Sequence, residues 1–204
     1  MFGTAMFLFF AFASILVVNT SELDDLASNI HTPRIVNIIF ISLGFGVSFA
    51  SNIFIFARIS GAMLNPAITL AMALVREITV IRAVVCFFAQ IGGGILGAFL
   101  VQLLFPGPLD QVRTSLGHGT SIVQGVFMEA LMTAELVTTV LMLARERCER
   151  NVIAAIAIGT SVFIAHLVGM PFTGVGMNPV RSFSPDVLTM TFEQYHWIYC
   201  KPPF

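Results

Sequence analysis

Five stretches of this chain, near residues 3–19, 35–56, 80–104, 122–144 and 152–170, are long runs of mostly apolar side chains. A helix needs about 20 such residues to cross the hydrocarbon layer of a bilayer. Composition points the same way: 57% of the residues are hydrophobic and only 10% charged, against roughly 25% charged in an ordinary soluble domain. There is too little polar surface to cover a soluble globule, and an all-α membrane protein with five full spans is the expectation. The first block, Gly3 to Val18, lacks a basic leading region and a small-residue cleavage site, so it reads as a retained helix and not a secretion signal.

Charge and cysteine usage exclude several classes. The net charge of −1 offers no basic excess for nucleic acid and no acidic excess for a cationic partner. Cys86, Cys148 and Cys200 are widely separated and odd in number, so neither a disulfide framework nor a metal site is indicated. Arg58, Arg76 and Arg82 flank the second and third spans, and Arg145, Arg147 and Arg150 lie between the fourth and fifth. Counting crossings places both groups on one side, which the basic bias of cytoplasmic loops assigns to the cytoplasm together with the N-terminus. Segments 19–34 and 105–121 then face outward; Pro106, Gly107 and Pro108 exclude regular helix from the second. Gly92, Gly93, Gly94, Gly97 and Ala98 crowd the third span, a composition that allows close helix approach where lipid gives no hydrophobic drive for association.

Two shorter apolar stretches, about 65–75 and 178–188, cannot cross a bilayer, and each opens with Asn-Pro. Their contexts match. Ser60-Gly61-Ala62-Met63-Leu64-Asn65-Pro66-Ala67 and Thr173-Gly174-Val175-Gly176-Met177-Asn178-Pro179-Val180 share a hydroxyl residue, Gly, two variable positions, Met or an aliphatic residue, Asn, Pro and a small apolar residue. An odd number of spans between the copies gives them opposite orientation, an inverted repeat. The expected organisation is a first repeat over 1–104, a connecting loop over 105–121 and a second repeat over 122–204. Asn is a favourable N-cap, and Pro loses no hydrogen bond in the first helical turn. Two re-entrant half-helices starting inside the membrane would aim free N–H groups and positive dipole ends at the midplane. Such backbone is tolerated only when packed in protein or lining a wet cavity. Two carboxamides facing one cavity, between two positive helix ends, specify a pore for small neutral molecules that repels cations.

The paired boxes resemble those of the aquaporin or major intrinsic protein family, and the resemblance covers the order of elements along essentially the whole chain. Phe105-Pro106-Gly107-Pro108-Leu109 and Tyr195-His196-Trp197-Ile198-Tyr199 are similar to phrases of fungal members. The resemblance implies six spans and two half-helices around one pore, Asn65, Pro66 and Ala67 with Asn178, Pro179 and Val180 as the pore boxes, water as permeant and a homotetramer in a plasma or internal membrane. It further implies a constriction made by Phe45, His166, Val175 and Arg181. In aquaporin-type pores generally, width, donors and electrostatic barriers decide what passes. An aromatic, His, a small residue and Arg fit the water-selective pattern, and Ser182 stands where glycerol-conducting relatives carry Asp. A membrane histidine can equally just bond a neighbouring carbonyl, whereas a charge such as Arg181 in an apolar segment usually faces a cavity. Glu129 matches a family carboxylate that accepts hydrogen bonds from the half-helix loops. Glu135, about 120° round the same helix, matches nothing in the family.

Several positions depart from the pattern. Val180 adds bulk to the second box, an overpacking worth about 1–3 kcal/mol if nothing adjusts. Met63 replaces a His of many relatives as a packing substitution, and Val175 replaces a mercury-reactive Cys, which predicts mercury insensitivity there. The family's first span begins with a Glu equivalent to Glu129, one residue before this chain starts. Tyr195 to Tyr199 looks like the start of a sixth span, yet the sequence stops at Phe204, so the last span is expected to be truncated and the second half-helix to face lipid. The reading is therefore a passive water channel without cofactors or enzymatic residues. Its alternatives are a channel for glycerol or another small neutral solute, or a non-conducting membrane protein of the same fold.

Overall fold

The computed structural model describes residues 1–28, 34–145 and 151–200. Cys148, Arg147, Arg150 and the final residues 201–204 lie outside that set. The long helices are α1 (Phe2–Ser28), α2 (Arg34–Ser60), α4 (Val80–Leu104), α5 (Ile122–Arg145) and α6 (Asn151–Thr173); the short ones are α3 (Pro66–Leu74), α7 (Pro179–Thr189) and the turn α8 (Trp197–Cys200). A 3₁₀ turn at Leu109–Val112 sits in the loop between α4 and α5. All five long helices carry an apolar stretch sufficient to cross a membrane. Their surfaces agree, since Phe40, Val47, Phe88, Phe127 and Leu131 are exposed, as a lipid-facing wall requires.

Three helix ends lie several residues beyond the sequence reading, those of α1, α2 (Ser60 against 56) and α6. Helix α1 runs to Ser28 instead of ending at 19: the chain turns polar at Asn19, but no Gly or Pro interrupts it before Pro33, so loss of hydrophobicity ends the membrane stretch without ending the helix. Helix α6 continues through Pro171 to Thr173. The breaks predicted at Asn65 and Asn178 are where α3 and α7 begin.

Glycines determine how the long helices approach. The most extensive pairing is α2 against α6, where a Cβ on Gly46 would come within 2.8 Å of the Gly159 carbonyl oxygen and one on Gly159 within 2.6 Å of the Gly46 oxygen. This reciprocal contact brings backbone against backbone at the crossing. Helix α4 uses Gly93 and Gly97, one turn apart, to pack on the backbone of Met1, just before α1, and of Ala5 within it. Its Gly94 faces α7, where an added Cβ would collide with Val180 Cγ1 and Ser184 Oγ. The bulk that Val180 adds to the second box is thus accommodated by a missing side chain on α4, and Val180 is buried. Gly92 is not part of this scheme, having ordinary contact distance to Met1 Sδ. On the other flank, an apolar cleft of ≈ 790 Å³ opens between α3, α4, α5 and α7, lined by Ala67, Ile91, Ala130, Val180 and Phe183 among others.

Replacing Gly94 by Ala should lower stability by about 1–3 kcal/mol through overpacking. The double variant Gly94→Ala, Val180→Ala should recover part of that loss in thermal unfolding of the detergent-solubilised protein, the contact with Ser184 Oγ remaining. Equal loss in the single and double variants would show that Val180 is not what Gly94 accommodates.

Candidate functional site

The two Asn-Pro boxes meet inside the helix bundle, and each secures the other. Asn65 is the N-cap of α3: its Oδ1 accepts from Ala67 N at 2.8 Å, and its Nδ2 donates to the Met177 carbonyl at 2.9 Å. Asn178 does the same for α7, accepting from Val180 N at 3.1 Å and donating to the Leu64 carbonyl at 3.1 Å. Each carboxamide therefore caps its own half-helix and grips the residue that precedes the opposite Asn. A carboxamide has two N–H donors, so one on each remains beyond these bonds. Pro66 and Pro179 occupy the first helical positions, where a missing N–H costs nothing.

The loops leading to the boxes share a strained conformation. Gly61 and Gly174 have φ of 79° and 68°, and the residues after them, Ala62 and Val175, have φ of 48° and 52°. A left-handed conformation in a side-chain-bearing residue costs about 1–2 kcal/mol, and for a β-branched one such as Val175 it is rare. Surrounding structure must hold it. In the second loop that support is Glu129, whose carboxylate accepts from the Thr173 hydroxyl at 2.7 Å, Gly176 N at 2.9 Å and Met177 N at 2.9 Å. In the first loop it is Gln90, donating to the Met63 carbonyl at 2.9 Å and the Thr69 hydroxyl at 2.8 Å, with Arg82 on the Ser60 carbonyl. The loops match in backbone but are held by a carboxylate in one case and by cationic and amide donors in the other.

Above the boxes, α2, α6 and α7 bring Phe45, His166 and Arg181 together, all buried. The Phe45 ring stacks on the His166 imidazole with centroids 4.0 Å apart. The Arg181 guanidinium carbon lies 5.3 Å from the Phe45 centroid and 5.6 Å from that of Phe12. Arg181 Nη1 donates to the Val112 carbonyl at 2.8 Å and Nη2 to the Gly174 carbonyl at 3.2 Å. His166 Nδ1 lies 2.8 Å from the Val162 carbonyl on its own helix, so the carbonyl-capping reading of this histidine holds for one nitrogen. Its Nε2, like Arg181 Nε, has no hydrogen-bond partner among the described residues. Asn65, Asn178, Phe45, His166 and Arg181 line one narrow cavity. Its volume of ≈ 10 Å³ just reaches the roughly 10–15 Å³ that one water requires. Val175, also buried, is not among the residues lining that cavity and packs toward Gly169 of α6.

A profile of the family described as Major intrinsic protein matches residues 1–204. The chain belongs to the major intrinsic protein family. It is 47% identical over 205 residues to a protein named "Probable aquaporin-5" of Gibberella zeae, an alignment covering 98% of this chain and 37% of that protein. It is 48% identical over 202 residues to "Aquaporin-7" of Botryotinia fuckeliana, covering 98% and 44% respectively. The chain thus spans less than half the length of these two curated relatives. The fold is that of the aquaglyceroporin from Plasmodium falciparum, whose crystal structure superposes with a TM-score of 0.86 at 22% identity, over 99% of this chain and 87% of that one. As a member of the major intrinsic protein family with, among the described residues, five helices long and apolar enough to cross a membrane, it is an integral, multi-pass membrane protein.

The roles of some residues of this major intrinsic protein site were not legible in sequence. Glu135, without a counterpart in the family pattern, accepts from the Ser161 hydroxyl of α6 at 2.8 Å, so it ties α5 to α6. Gln90 and Thr173 become significant only through the carbonyls and carboxylate they reach. Asp186 is fully buried on α7; a lone carboxylate in a re-entrant segment was the available signal.

Truncating Glu129 to Ala would strand the Gly176 and Met177 N–H groups at about 1–3 kcal/mol each. Amide exchange at those two positions should accelerate, with a smaller effect in Glu129→Gln, which keeps one acceptor. Unchanged exchange in Glu129→Ala would mean the loop conformation is supported elsewhere.

Proposed function

We propose that this protein is a passive water channel: a single-file pore between the two halves of an inverted repeat, with its N-terminus in the cytoplasm and four copies in the working assembly. The observation that carries the reading is the cavity at Phe45, His166 and Arg181, sized for one water and continuous in its lining with Asn65 and Asn178. Passing water exchanges hydrogen bonds with the unpartnered Nε2 of His166 and Nε of Arg181 and with the remaining N–H of each carboxamide. A file of waters is oriented outward from the boxes because α3 and α7 both present their positive ends there. The same helix ends and the Arg181 charge oppose cations and protons, the barrier on which aquaporin-type pores in general rely.

Water is favoured over glycerol by width. The stacked contact of Phe45 and His166 and the bonding of Arg181 to two carbonyls support a passage too narrow for a three-carbon polyol. Ser182 after Arg181 is consistent with that preference. The glycerol reading is an outcome of the same experiment.

Stopped-flow light scattering of liposomes containing the protein should give fast water flux with low activation energy under a sucrose gradient, and no glycerol flux above that of empty liposomes. His166→Ala and Arg181→Ala should admit glycerol. Glycerol flux in the unmodified protein would replace the water-selective reading by the polyol one, and water flux equal to empty liposomes would remove the channel reading.

A further inference from the structure

Outside the constriction, two side chains from different segments converge on the carboxylate of Asp186. Its Oδ1 accepts from Arg113 Nε at 2.7 Å, and its Oδ2 lies 2.6 Å from His196 Nδ1. Arg113 also donates through Nη2 to the Thr191 carbonyl at 3.0 Å and is 3.9 Å from Glu193. Asp186 has no exposed surface and Arg113 is half-buried, so the pair is partly shielded from water, where a hydrogen bond is electrostatically stronger than on an open surface.

What this cluster holds is the residue before Arg113. Val112 ends the 3₁₀ turn, and its carbonyl accepts from Arg181 Nη1. Arg181 and Asp186 are both on α7, five residues and about 7.5 Å apart along its axis. Consecutive loop residues are thereby fastened to one helix at two points, Val112 to Arg181 and Arg113 to Asp186. The second carbonyl that receives Arg181 is under the same control: a Cβ on Gly174 would lie 3.3 Å from Thr114 Cα and 3.4 Å from Ser115 N, so the loop segment rests directly on Gly174.

We infer that Asp186 and Arg113, with His196 covering the second carboxylate oxygen, are positioning residues that keep the Val112 and Gly174 carbonyls on the Arg181 guanidinium and so set the selectivity of the constriction. The role rests on the channel reading above. Neither residue touches the cavity at Phe45 and His166; they act through the two carbonyls. A guanidinium released from Val112 turns more freely, and the fixed width and donor pattern that reject larger solutes are lost.

The test uses Asp186→Asn, close in size, together with Arg113→Ala and the double variant, in the protein reconstituted into nanodiscs and liposomes. By NMR of the arginine side chains, Asp186→Asn should release the slowed guanidinium rotation of Arg181, and in liposomes the glycerol-to-water permeability ratio should rise several-fold. The double variant should be no worse than the single ones, since all break one connection. An Arg181 signal identical to that of the unmodified protein overturns the inference whether or not the protein conducts. So does a variant in which water and glycerol permeability fall together with folded protein, or a double variant whose ratio change is the product of the two single changes. Failure of the channel reading looks different: the unmodified liposomes show no water flux while the Arg181 signal still responds to Asp186→Asn.

Discussion

The crossed bonds between Asn65 and Asn178 are the constraint on which the rest of the structure depends. Two helices that begin inside a membrane leave backbone donors in a place where no lipid can accept them. Here each Asn satisfies one such donor on its own helix and uses its amide to hold the carbonyl leading into the other. The half-helices are therefore joined to each other at their starts, and neither can move without breaking a bond at the other. Once that junction is formed, the approach loops must bend sharply to reach it, which is why left-handed residues recur at matched positions on both sides. Glu129 and Gln90 then hold what the junction demands.

The frame around the junction is drawn close by glycines. Where α2 crosses α6, Gly46 and Gly159 place backbone against backbone. Phe45 is the neighbour of Gly46, and His166 lies seven residues, about two turns, beyond Gly159. Their stacking at 4.0 Å is thus a consequence of how tightly the two helices meet. The same economy of side chains lets α4 sit against α1 and against Val180. In a membrane, where apolar surface gains nothing by leaving lipid, such close van der Waals contact is what holds helices together.

Much of this architecture was legible in sequence because it rests on local rules. Span length follows from continuous hydrophobicity, and the half-helix starts follow from Asn-Pro after a Gly-containing turn. Even the position of Arg181 inside a cavity follows from the cost of a membrane charge. The end of α1 was not legible in the same way, because helix propensity continues past the point where the chain turns polar. Val180 looked like overpacking until Gly94 was found facing it, a relation between residues 86 positions apart. Glu135 looked unexplained until Ser161 of the next helix reached it.

By itself the sequence determined the number of spans, the two re-entrant breaks and the residue types that face each other there, since these depend on hydrophobic runs and capping chemistry acting within a few residues. Only the tertiary structure decided which donor meets which carbonyl. It crossed each Asn over to the opposite loop, put Gln90 in the first half where Glu129 serves the second, kept Val175 out of the cavity lining, and brought Arg113 to Asp186. These pairings join segments that are far apart along the chain, and a polar group in a membrane interior is drawn to whichever partner the packed helices place within reach. That choice is made by how closely the helices approach, and no local pattern encodes it.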